Sequence, residues 1–459
     1  MDNRTPRSLT MTMTARMLQL ACCLVALGNI LAGAPSLITF HHDAGWCWFD
    51  DERALVQDQK LFIATVADGR TPDGSLDRTR RGHIEVTRYD LDFGESLGTT
   101  SLHENLEADD HNSPAMIVRP DGRILAVYAK HGPENRIYFR TTASDQGQLW
   151  QPERTFVPSS SSRITYSNLH FLSRENDGKG RVYNFFRGLD GTWKPSVMTS
   201  DDFGETWKVI GRLIDDGDGN AVRPYAKYVS DGTGRVHIVF TEGHPRNQNN
   251  SLYHIYYEAG NLHHSNGNVI QKLSDGPIRP RQATRIFAGN PNNVAWPGDV
   301  EIDTEGRPVV AYSVQKDGAG KPQGQGGEDH RYRYARWDGG TWKDQEIAYA
   351  GSRLYAGEDD YTGNVALDPD DANTIYISTN ANPITGKQAP DSHYEIHRGV
   401  TRDQGRNWTW TPVTEQSKRD NIRPMIPSWN KDRTVVLWLQ GDYHSYTDYD
   451  LDVVGVILD

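Results

Sequence analysis

Along most of this chain, apolar and polar residues alternate in short runs broken by Gly- and Asp-rich turns. That pattern predicts short strands rather than long helices. Seven paired runs stand out: 54–57 with 60–66, 115–118 with 124–128, 168–172 with 181–186, 226–229 with 235–240, 299–302 with 308–313, 364–367 with 374–378, and 425–428 with 434–439. Turns such as Pro120-Asp121-Gly122, Asp231-Gly232-Thr233-Gly234 and Thr304-Glu305-Gly306-Arg307 join most of them. The pairs recur about every 60 residues, slightly longer than ordinary propeller blades.

A second motif keeps the same phase. Ser200-Asp201-Asp202-Phe203-Gly204-Glu205-Thr206-Trp207 fits an Asp-box, Ser/Thr-x-Asp-x-Gly-x-Thr-Trp. Degenerate copies stand at Asp145-Gln146-Gly147 with Trp150, at Asp338-Gly339-Gly340-Thr341-Trp342, and from Thr401 to Trp408. One Asp-Gly turn is common in any β protein, but several in register with a hairpin repeat are not. The expected fold is all-β, a seven-bladed β-propeller. Residues 35–459 form a single domain, because each blade buries its faces only against its neighbours.

Composition sharpens this picture in a few places. The formal net charge of -12 argues against a nucleic-acid partner. Arg4, Arg7 and Arg16 precede an apolar run from Leu18 to Leu31 and the small residues Ala32-Gly33-Ala34, so residues 1–34 read as a secretory signal peptide. The expected location is extracellular or periplasmic, with no membrane attachment once the signal is removed, and the expected state is a monomer. Cys47 is then the sole cysteine, and no intramolecular disulfide can form.

A hairpin brings its two open ends together, so His111 and His131, flanking the second pair, should be neighbours. In a propeller all seven open ends share one rim. Blade two brings His111, Asn112 and His131 to it; blade three brings Tyr166, Asn168 and Arg187; blade four brings Arg223, Tyr225, Lys227, Glu242 and His244. Asp51, Arg53, Trp296, Asp299, Asp360, Tyr361 and Arg423 are expected from the other blades. A basic, aromatic cluster on an acidic protein suits an anionic sugar such as a uronate. β-Elimination of a uronate needs donors that neutralise its carboxylate, a base for the C5 proton and an acid for the leaving oxygen. A Tyr whose pKa is lowered by nearby Arg or Lys could serve as base, and His could serve either role. Hydrolysis would want two carboxylates at about 5–9.5 Å; Glu242 with Asp51, Asp299 or Asp360 is the available pair.

At these residues the chain is similar to the BNR-type seven-bladed propeller polysaccharide lyases. These include ulvan lyases and the L-rhamnose-α-1,4-D-glucuronate lyases that act on gum arabic side chains. The motifs that carry the resemblance are Ala44-Gly45-Trp46-Cys47-Trp48-Phe49-Asp50, Asp110-His111-Asn112-Ser113-Pro114, Thr165-Tyr166-Ser167-Asn168, Phe185-Phe186-Arg187-Gly188 and Arg223-Pro224-Tyr225-Ala226-Lys227-Tyr228. It implies Tyr166 as base and acid, Arg187 with His111 and His131 for carboxylate neutralisation and proton transfer, and Tyr225 as a further site residue. It implies an anionic uronic-acid polysaccharide as partner. Nothing in the sequence reads as a sulfate-binding specialisation, so the unsulfated, terminal rhamnose linkage is expected over endo-cleavage of ulvan.

Other readings stay open. A related propeller group has rhamnosidase activity through a His on the opposite face, which His41 and His42 could supply, and a non-catalytic sugar-binding propeller is a third reading. The chemistry requires no cofactor. His244 with His254, His263, His264 or Cys47 offers ligands for a structural zinc, and Asp215-Asp216-Gly217-Asp218 for a structural calcium.

Overall fold

The computed structural model describes residues 36–459 apart from 72, 133, 160–162, 218–221, 320, 323 and 431. The expected signal peptide lies outside the described residues.

Among those residues the strands form seven antiparallel sheets, in chain order 54–103, 115–156, 165–212, 226–287, 294–351, 365–412, and 420–458 with an added N-terminal strand. They are blades 1 to 7 of a β-propeller. Blade 4 has six strands and the others four. The added strand, Ile38–His41, pairs antiparallel with Asp448–Leu458 and forms the outer edge of blade 7, so the two ends of the chain close the ring together. His41 thereby sits at the periphery, where its Nε2 lies 2.9 Å from Glu85, and His42 contacts Asp452 at 3.1 Å.

The predicted hairpins are the two inner strands of each blade. The last one is displaced: its first strand is Asp420–Met425, not 425–428, and its second is Thr434–Ser445. The strand ends at Met425, and Ile426-Pro427-Ser428 lie outside it.

Hydrophobic clusters lie between blades. Phe62 and Val86 of blade 1 pack with Met116 and Tyr128 of blade 2, and Leu125 of blade 2 with Val182 and Trp207 of blade 3. The Asp-boxes stitch these seams. Asp202 accepts hydrogen bonds from Thr206 N (2.8 Å) and Thr206 Oγ1 (2.6 Å), and Trp207 is buried below. Gly204, at φ +91°, leaves room for the neighbouring blade: a Cβ there would stand 2.5 Å from Leu125.

Residues 44–53 run through the centre and touch nearly every blade. Trp48 Nε1 donates to Thr362 O (3.0 Å), Ser113 Oγ to Asp50 (2.7 Å), and Asp51 N to Asn168 Oδ1 (3.0 Å). Phe49 stacks on Trp296 (centroids 4.8 Å apart) and packs against Tyr225 (4.3 Å). Arg53 pairs with Asp50 at 2.7 Å. This stretch, apolar from Ala44 to Phe49 and then acidic at Asp50, Asp51 and Glu52, acts as an axle for the ring.

Candidate active site

On the rim where the hairpins open, the Asp109-Asp110-His111-Asn112 turn enters blade 2. Asp109 caps that turn by accepting the backbone N–H of His111. Its carboxylate also meets Nδ1 of His111 (2.5 Å) and Nδ1 of His131 (2.9 Å). The two imidazoles stack with centroids 3.7 Å apart and planes 4° from parallel. One carboxylate thus orients both rings.

The rings do not share one charge state. Burial opposes a charge on His111, yet Cys47 and the carboxylates of Asp109 and Asp110 raise its pKa well above the ordinary histidine value. Burial, the adjacent His111 cation and Arg187 depress His131 to about 4. At neutral pH His111 is an imidazolium and His131 a neutral ring. With Nδ1 facing Asp109, Nε2 of His131 carries the lone pair and makes no hydrogen bond among the described residues.

Tyr166 stands beside them, its ring 5.1 Å from that of His111. It adopts φ +56°, in the left-handed region, and the pairing of its strand jumps between Thr165 and Asn168. This β-bulge turns Tyr166 out of the ladder; such strain persists where the surroundings impose it and clusters at functional sites. The sequence-based expectation of a lowered Tyr166 pKa is corrected here. Arg187 does pull it down, but burial dominates and holds the phenol well above its usual value. Resting Tyr166 is protonated.

Arg187 pairs across the bulge from Thr165. Its guanidinium lies over three rings, at 4.6 Å from Tyr166, 4.8 Å from Tyr225 and 5.2 Å from Trp193. It is 4% exposed and hydrogen-bonds Tyr225, but among the described residues it has no carboxylate partner and its Nε and Nη1 make no hydrogen bond. A buried cation without an anion is costly, and such a group is poised for an anionic ligand. Arg223, half-buried nearby, also makes no ion pair among the described residues. His244 packs edge-on against Trp296 (4.6 Å) and Tyr225 (5.6 Å), and burial with three arginines keeps it neutral.

The remaining expected residues serve the scaffold. Asn112 is fully buried and donates to Glu107 behind the histidines. Asn168 holds Asp51 and Arg53, and Lys227 Nζ donates to Asp50 O inside the channel. Asp51, Arg53 and Asp299 also lie in the channel rather than on this rim, and Arg423 is buried against Asp110 at 2.8 Å. Glu242 is occupied by Ser251 N and Tyr253 Oη, each at 2.7 Å, and is no free partner for hydrolysis.

The expected metal ligands do not converge. His254 bonds His237 at 3.0 Å within blade 4, His263 stacks on Tyr256, His264 faces Thr284, and Cys47 Sγ faces Tyr166 Oη at 3.9 Å. Asp215 and Asp216 are neutralised by Lys194 and Arg212, while Asp218 lies outside the described residues.

Three contributors were absent from the sequence-based set. Asp109 was passed over beside the more conspicuous Asp110-His111. Trp193 enters from the third strand of blade 3, and Tyr446 sits on the Ser445–Asp448 turn of blade 7, edge-on to His111 (5.3 Å) and His131 (5.5 Å). Nothing local marks Tyr446, since it reaches the site only when the ring closes.

A seven-bladed propeller with a cationic, aromatic rim is thus the class that fold and site define. The profile of the BNR repeat-containing family matches residues 62–350, and the chain belongs to that family. The fold is shared with a solved ulvan lyase of polysaccharide lyase family PL25 (TM-score 0.61, 14% identity, covering 91% of this chain and 95% of that one). The same enzyme bound to -[GlcA(1-4)Rha3S]- gives TM-score 0.61 at 13% identity, covering 91% and 95%. The polysaccharide lyase Uly1 gives TM-score 0.55 at 13% identity, covering 89% and 90%. No curated protein sequence matches the chain.

Proposed function

We propose that this protein is a secreted polysaccharide lyase that cleaves the linkage from L-rhamnose to O4 of D-glucuronate by β-elimination. The observation that carries this reading is the buried Arg187, unpaired and beside a protonated tyrosine and a neutral, carboxylate-oriented histidine. Arg187, with Arg223 near it, receives the uronate carboxylate and so acidifies C5–H. The free Nε2 of His131 takes the C5 proton as the electron pair forms C4=C5. The C4–O4 bond breaks, and Tyr166 Oη gives its proton to the departing rhamnosyl oxygen. His131 then returns a proton to Tyr166 through solvent. His111 stays charged and supports the carboxylate. This assignment moves the base from Tyr166 to His131, because a buried phenol held above its ordinary pKa keeps its proton at rest and has no free phenolate to accept one.

The structurally similar lyase bound to a glucuronate–rhamnose chain supports a uronate–rhamnose substrate. The finer proposal is the terminal, unsulfated linkage of gum arabic side chains. Tyr446 and Trp193 wall two sides of the histidine pair, which suits a chain end better than an open groove. Incubation with gum arabic and with ulvan, following the ultraviolet absorbance of the unsaturated uronate, tests it. Absorbance with free rhamnose from gum arabic supports the terminal reading. Absorbance from ulvan alone replaces it with endo-cleavage, and rhamnose without absorbance would overturn elimination.

A further inference from the structure

A cavity of ≈ 860 Å³ lies on the other rim, where the hairpins turn, and Val56, Ser230, Thr304, Gly306 and Trp429 help line it. Glu52 and Glu301 face into it. Asp299 and Glu301 stand two apart on the inner strand of blade 5, so both project to the channel, where Glu52 arrives from the central axle. Carboxylate oxygens of these three residues lie within 4.8 Å of one another.

Lys227 eases the charge of Glu52 and Asp299, and Glu301 is the member left without a cation among the described residues. Both oxygens of Asp299 are held, by Val300 N (2.8 Å) and Leu367 N (2.7 Å). Glu301 is 7% exposed, and among the described residues no side chain donates to it and no cation pairs with it; the adjacent Ile302 amide eases its charge. Of the charged neighbours, Asp51 is bonded to Tyr228 N and His170, Asp303 pairs with Arg336 at 2.7 Å, and Lys227 donates to Asp50 O. Burial and mutual repulsion raise Glu52 to about 8 and Glu301 well above its usual value.

We propose that Glu52, Asp299 and Glu301 bind one divalent cation, calcium-like in preferring hard oxygen ligands, at the inner end of this cavity. Calcium takes oxygens at about 2.3–2.6 Å, so opposed ligands stand about 4.6–5.2 Å apart, and the three carboxylates fit around one ion. The cavity supplies water for the remaining positions. Zinc, which favours nitrogen and sulfur, is disfavoured. The ion would pin the axle to blade 5, and it takes no part in the chemistry proposed on the opposite rim.

The test is calorimetric titration of chelator-treated full chain with CaCl2, with ZnCl2 in parallel, alongside thermal unfolding. One Ca2+ per chain is expected, with protons released on binding and Tm rising with Ca2+ concentration. Glu301→Gln should bind at least tenfold more weakly, yet unfold no earlier than wild type without calcium, because a Gln amide replaces a carboxyl whose raised pKa keeps it protonated there. Glu52→Gln gives the same reading should Glu301→Gln fail to fold. No binding at millimolar Ca2+ by the wild type, or unchanged binding by a folded variant, would overturn the proposal. These readouts do not depend on lyase activity, so failure here leaves the opposite rim untouched.

Discussion

Replacing Arg187 with Met separates function from stability. The side chain is 4% exposed and its charge meets no carboxylate, so folding bears a desolvation cost of several kcal/mol. Three cation–π contacts offset it by about 0.5–1 kcal/mol each, or about 1.5–3 kcal/mol together. The opposing contributions nearly cancel, and Met keeps most of the packing volume. Arg187→Met should therefore fold with stability within about 1–2 kcal/mol of wild type, on the stable side if desolvation dominates. Catalysis should fare differently. Each charge-assisted hydrogen bond to a carboxylate contributes about 1.5–3 kcal/mol, and two of them correspond to a loss of about 10²–10⁴ in kcat/KM. Thermal unfolding and initial rates of unsaturated-uronate formation measure the two. A variant destabilised by more than about 3 kcal/mol that keeps wild-type rates would refute this reasoning and make Arg187 a structural residue.

Three further outcomes follow from the same geometry. Tyr166→Phe should lower the elimination rate by about 10²–10⁴-fold with ligand affinity intact; calorimetry with the substrate and rate measurements check it, and full activity would exclude Tyr166 as the acid. His131 has a folded pKa of about 4, below its unfolded value near 6.5. The unfolded chain therefore binds the extra proton between those values, so its contribution is complete above pH about 6.5 and is lost as pH falls toward 4, by up to about 3 kcal/mol. The acid limb of kcat/KM should accordingly lie near 4, and a limb near 6.5 would contradict the neutral assignment. Phe49→Ala should cost about 3–5 kcal/mol in denaturant unfolding, because Phe49 stacks on Trp296 and packs against Tyr225 at the axle; a loss under 1 kcal/mol would mean the axle is not load-sharing.

The propeller was legible because its signals are local and periodic. Each Asp-box closes a turn through its own Asp202- or Asp403-type carboxylate, and each hairpin carries its own turn chemistry. The pairing of His111 with His131 followed from hairpin geometry alone. What escaped depended on closure or depth. Ile38–His41 joins blade 7 only across the full length of the chain, and Tyr446 arrives at the histidines by the same route. Lys227, Asn168 and Asp299 fall at or near the starts of the predicted runs like the rim residues, but they lie inside their strands beside the axle 44–53, which fills the channel there. The proton on Tyr166 was misjudged because sequence reveals the nearby arginine but not the burial that outweighs it.

The most direct test uses a defined disaccharide, L-rhamnose-α-1,4-D-glucuronate, and mass spectrometry of the uronate product. Elimination yields a uronate lighter than glucuronic acid by one water, together with free rhamnose. Glucuronic acid of full mass, or no turnover while the disaccharide still binds, would contradict a lyase at the Tyr166–Arg187 rim.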